Sequence, residues 1–93
     1  MTPIDIIGVA LYSDDQAEII RAIEEALERD NPAFIAAAAR SIGHLARRFD
    51  VSDDRLTSDL HSRASSEFSD DDHVQGAVFD MEDDLQHLKP VSV

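Results

Sequence analysis

From Ala17 to Leu88 apolar residues recur at three- and four-residue steps, and nowhere does a run of β-branched residues alternate with polar ones. That periodicity predicts an all-α chain. Start signals divide it into about five helices. Thr2 followed by Pro3 supplies an N-cap and a preset first position, with Asp5 in the first turn, for a short helix through about Leu11. Apolar residues on all its sides predict that this helix is buried. Ser13 with Gln16 reads as a capping box opening a second helix to about Arg29, with Ala17, Ile20, Ile23 and Leu27 as its inner stripe. Asn31 and Pro32 repeat the cap-plus-proline signal and launch a third helix to about Phe49, whose alanines let neighbouring backbones come close.

Ser52 is the expected cap of a fourth helix, with Val51 placed to staple onto Leu56. Its stripe is thin, comprising Leu56, Leu60 and Ala64, and serines 62, 65 and 66 favour fraying of its end. Ser69 with Asp72 opens the last helix, where Val74, Ala77, Val78, Met81, Leu85 and Leu88 form a long amphipathic stripe. Lys89 suits the negative end of that helix, Pro90 stops it, and Val91, Ser92 and Val93 are left as a tail. Ninety-three residues are too few for two independent cores, so residues 1–93 are expected to form one domain. The longest apolar runs fall short of the ~18 residues of a membrane span, and the first residues lack the basic start of a secretion signal. The expectation is a soluble, cytoplasmic protein without membrane contact. With no cysteine, disulfides, thiol nucleophiles and thiolate metal sites are excluded.

Charge narrows the partner class. Twenty acids against eight lysines and arginines leave −12, and such a field repels phosphate backbones and anionic lipids. Residues 1–49 hold eight acids and five bases, residues 50–93 twelve acids and three bases, so the surplus is concentrated in the second half. Nucleic acid is therefore not an expected ligand. A basic protein is.

A repeat is superposed on the helices. Ser13 to Ser52 spans 39 residues and Asn31 to Asp71 spans 40, while Phe34, Ala38, Ile42 and Leu45 align with Val74, Val78, Glu82 and Leu85. A period near 40 built from helix pairs is the pattern of an α-solenoid, with each hairpin burying its apolar face against a neighbour. Residues 22–49, AIEEALERDNPAFIAAAARSIGHLARRF, resemble the HEAT-like repeat through Asn31, Pro32, Phe34, Ala38, Ala39, Ile42, Gly43 and Leu45. The second copy keeps the spacing but carries Asp83 at the glycine position, and the arginine usual just after the turn hydrophobe is Ile35 here. The resemblance implies a short solenoid: an N-terminal capping helix, repeat one over about 13–49 and repeat two over about 52–89. The stretches LYSDD, SIGHLARRF and VQGAVFDMEDDLQHL are also similar to small bacterial HEAT-like proteins of polymorphic toxin systems. That likeness implies an immunity function.

Catalytic and metal constellations are sparse. There is no Gly-rich phosphate loop, the serines at helix starts are accounted for as caps, and neither enzymatic activity nor a cofactor is expected. Asp83 and His87, one helical turn apart, and the run Asp70, Asp71, Asp72, His73, with His61, hold ligand-type side chains, but first-turn aspartates ordinarily complement the helix dipole, and no metal site is assigned. His44 is placed at the margin of the core, and Arg40, Arg47 and Arg48 are expected to pair with acids of adjacent helices, Arg40 with Asp80. The expected partner-binding face comprises Asp53, Asp54, Asp59, Asp72, Asp80, Glu82, Asp83 and Asp84, with Phe79 as an apolar anchor and Tyr12 and Phe68 as further aromatic candidates. The function expected is an antitoxin or immunity protein that occludes a cationic toxin, such as a nuclease. The alternative is a non-catalytic adaptor that self-associates or joins a larger complex.

Overall fold

Every helix begins on a side chain that accepts a backbone N–H. The computed structural model describes residues 1–86 and Leu88, which form α1 (Pro3–Tyr12), α2 (Gln16–Leu27), α3 (Pro32–Phe49), α4 (Asp54–Ser66) and α5 (Asp72–Gln86), with no strand among the described residues. Thr2 and Asp5 form a reciprocal capping box on α1, and Asn31 accepts from the Ala33 N–H at 2.9 Å with Pro32 behind it. Three caps differ from expectation. Asp15, not a Ser13–Gln16 box, caps α2 by accepting from Ala17 N–H; Ser13 instead accepts from Asp15 N–H at 3.1 Å. Asp53 rather than Ser52 caps α4, and Asp71 rather than Ser69 accepts from Val74 N–H at the start of α5. In each case the helix begins on the neighbouring carboxylate, whose full charge faces the positive end of the helix dipole where a hydroxyl offers only a neutral dipole.

α3 is the central element and touches the other four; α2 also packs on α1 and α4, and α5 on α4. Its small residues explain this. Ala36, Ala37, Ala38, Ala39, Ser41, Gly43 and Ala46 are all buried, so several neighbouring helices approach its backbone at once. Around them Ile6, Ile19, Ile23, Ile35, Leu45, Leu56, Leu60, Val74 and Met81 fill one contiguous core. The inner stripe of α2 is shifted from the expected one: Ile19, Ala22, Ile23, Ala26 and Leu27 are buried, Ile20 is half-buried and Ala17 is exposed. The expected burial of α1 holds for one side only. Ile6 and Ala10 are buried, while Ile4 and Tyr12 are each 81% exposed because the helix packs on α2 and α3 alone. Lys89, Pro90 and the expected tail lie outside the described residues.

None of the glycines, at 8, 43 and 76, stands at a helix end, so the last carbonyls of the helices need other donors. Neighbouring helices supply them. Arg48 of α3 donates to the carbonyls of Ala10 and Ser13 at 2.8 and 2.7 Å, closing α1. Arg63 of α4 donates to the carbonyls of Leu27 and Arg29, closing α2, and Gln75 of α5 donates to those of Ala64 and Phe68 at 3.1 Å, closing α4. α3 closes on itself through Asp50, which takes the left-handed conformation at φ 54° and donates its N–H to Ala46.

Candidate partner-binding surface

The acids selected from the sequence are not gathered on one wall. Asp80, Asp83 and Asp84 lie one turn apart on the side of α5 that meets α3, where Arg40 reaches Asp80 at 3.2 Å and Arg47 pairs with both Asp84 and, at 4.0 Å, Asp83. The Arg40–Asp80 pair expected from the repeat alignment is present. Glu82 points to another side, toward His61 of α4 at 3.6 Å. Asp53 is engaged as the α4 cap, Asp59 is exposed within electrostatic reach of Arg55, and Asp54 and Asp72 are exposed and unpaired among the described residues. Three of the α5 acids thus fasten α3 to α5, and the free members of the set sit on α4 and at the start of α5.

Gly43 makes the α3–α5 contact possible. A Cβ at this position would run into the Asp84 carboxylate and lie 3.3 Å from the Asp84 Cβ, so any other residue would displace the Asp84 side chain from its present pairing with Arg47. Beside it stands His44, half-buried as expected of a residue at the core margin. Burial holds its imidazole below the ordinary value of 6.5; Asp84 opposes that shift, and Arg40, Arg47 and Arg48 reinforce it. Because the folded pKa is the lower one, the unfolded chain takes up this proton first. Stability from this group is therefore intact well above 6.5 and declines as pH falls through 6.5 toward the folded pKa. His44→Gln is expected to flatten the fall in urea midpoint between about pH 7 and pH 5 relative to the wild type; an unchanged slope would place the imidazole in solvent.

The remaining surface divides into an acidic edge and an apolar one. Between α2 and α4 lies a cleft of about 310 Å³ lined by Glu24, Leu27, Glu28, Arg55, Asp59 and Arg63, among other residues. Both arginines are already used, Arg55 on Glu24 at 2.9 Å with Asp59 also acting on it, and Arg63 on Asp30 and Glu67, which leaves Glu28 as the unpaired charge of the cleft among the described residues. Of the aromatic candidates, Phe79 is 72% and Tyr12 81% exposed, while Phe68 is half-buried against the core. α1 and α5 do not touch, so Tyr12 and Phe79 belong to separate surfaces.

Residue reading missed the exposed side of α1, although its pattern was present in the sequence: Met1, Ile4, Gly8 and Leu11 follow one stripe and Ile6 and Ala10 another. Among the described residues no group of three His, Cys, Asp or Glu side chains could hold a metal ion, and His87 of the Asp83–His87 pair lies outside them. No helix among them is long and apolar enough to cross a membrane. Comparison with protein-family models, with curated proteins and with solved structures finds no match.

Proposed function

We propose that the protein is a non-catalytic, stoichiometric binder of a basic protein, an immunity-type HEAT-like module that occludes a cationic toxin. The observation that carries this reading is how the arginines are spent. Arg29, Arg40, Arg47, Arg48, Arg55 and Arg63 each pair with a carboxylate of the chain itself, while Glu18, Glu28, Asp50, Asp54, Asp70 and Asp72 form no ion pair among the described residues. Arg21, exposed on α2, is the one arginine without a carboxylate partner among the described residues, so the unspent charge is predominantly negative, which steers cationic partners and repels nucleic acid. A nuclease suits such a surface because it must itself be basic to hold phosphates. The neighbour order, α2 with α3, α4 with α5, α2 with α4 and α3 with α5, supports reading residues 13–49 and 52–89 as two stacked hairpins behind a capping α1.

The test is capture of the partner by the tagged protein in its native cell, followed by reconstitution of the purified pair. The expected result is a one-to-one complex with a protein of pI above ~9 that forms more slowly as salt is raised and whose activity disappears at one equivalent. A partner of neutral or acidic charge, or a basic partner that keeps its activity in the complex, would refute the reading. The exposed apolar side of α1 favours the second reading, an adaptor that self-associates; a homodimer in light scattering with no basic partner captured would establish it.

A further inference from the structure

We infer that the outer side of α1 is the apolar centre of the partner interface and that its occupant is a basic amphipathic helix of the cationic protein. This rests on the reading above and adds where, and by what, the protein is engaged. Ile4 is 81%, Leu11 38% and Tyr12 81% exposed, and with Gly8 they fall at positions 4, 8, 11 and 12 of α1, the spacing of a seam that takes a second helix; Met1, 54% exposed, precedes the helix and lines the same depression. Exposed apolar side chains grouped on one side of a helix and rimmed by polar residues are the usual mark of an interaction site.

Gly8 strengthens the case. A Cβ there would meet nothing within 4 Å, so the fold does not require glycine, yet in mid-helix it costs roughly 1 kcal/mol relative to alanine. What the missing side chain provides is room for an incoming backbone at the midpoint of the stripe. The rim decides the chemistry of the occupant. Asp5 and Glu18 line the shallow depression over this face with no lysine or arginine among its lining residues, its one cation being the N-terminal ammonium near Asp5, and Asp14 and Asp15 follow Tyr12 after Ser13. Arg48, the cation at this end of α1, is spent on the Ala10 and Ser13 carbonyls and on Asp14. A second copy would set acidic rim against acidic rim, whereas a helix with leucines on one side and lysines or arginines flanking them matches both the stripe and its border.

Tyr12 is the sole tyrosine and there is no tryptophan, so its emission reports on this face alone. The probe is a synthetic leucine–lysine heptad helix without aromatic residues, with its leucine–glutamate counterpart as control. The lysine peptide is expected to bind, to shield Tyr12 from acrylamide several-fold, and to lose at least about tenfold in affinity with Ile4→Asp or Gly8→Glu, while the glutamate peptide does not bind. Gly8→Glu is also expected to raise the thermal midpoint, which separates lost binding from lost folding. Binding that leaves Tyr12 quenchable and both variants unaffected would move the interface elsewhere without touching the reading of a basic partner. Failure of the lysine peptide to bind at all would overturn the inference, and capture of a non-basic partner would overturn the reading beneath it. Shielding of Tyr12 by concentration alone, with a dimer in sedimentation that Ile4→Asp dissolves, would make the occupant a second copy and also overturn it.

Discussion

Ile35→Arg is expected to abolish cooperative folding. Ile35 has no solvent exposure and sits in the first turns of α3, the helix on which all others pack. Replacing it removes about 1.5–3 kcal/mol of apolar burial and introduces a charge that must be desolvated or must force the helices apart. Together these exceed about 4 kcal/mol, a large share of the 5–15 kcal/mol typical of a folded domain. Urea titration followed by circular dichroism should show no transition for Ile35→Arg, while Ile35→Val loses only about 0.5–1.5 kcal/mol. An arginine variant as stable as the wild type would mean that the position opens to solvent and that the packing at the start of α3 differs from the one described.

The second large effect is expected at Arg63. Its guanidinium donates to the carbonyls of Leu27 and Arg29 and pairs with Asp30 and Glu67, so one side chain closes α2 and binds the α2–α3 turn to α4. Arg63→Met keeps most of the apolar stem and removes every donor. The carbonyls at the end of α2 then lose their partner, at an expected cost of about 2–3 kcal/mol. Arg63→Lys should recover less than half of that, because an ammonium cannot reproduce a planar fork aimed at two carbonyls. Amide hydrogen exchange adds a local readout: residues 28–31 should lose protection before the core does in the methionine variant. If the urea midpoint of Arg63→Met equals that of the wild type, the clamp contributes nothing and the turn is held by Asn31 and Pro32 alone.

Local chemistry accounts for how much of the fold the residues announce. Thr2–Pro3 and Asn31–Pro32 mark their helix starts correctly because cap and proline act within one turn and need no tertiary partner. The serine caps at 13, 52 and 69 misplace theirs by one or two residues, since each serine is followed within two positions by an aspartate that is the better acceptor. Burial on α1 was misjudged for a different reason. An all-apolar short helix has the same sequence whether a fifth layer covers it or solvent does, and here only α2 and α3 reach it. The candidate site divides in the same way. That aspartates 80, 83 and 84 share one side of α5 follows from helical spacing, but that arginines 40 and 47 consume their charge depends on how α3 crosses α5.

Five helices, their approximate limits, the alanine richness of the third and the sign of the surface field are all readable in the residues. These follow from period, caps and composition, which act within a few residues or over the whole chain. Only the tertiary structure decided which carboxylates are spent and which remain free, which side of α1 is left bare, and that Arg48, Arg63 and Gln75 close the ends of helices distant in sequence. The physical reason is range. A hydrogen bond or ion pair of about 3 Å between residues as many as 40 positions apart is set by the crossing of two helices, and no local pattern encodes that crossing.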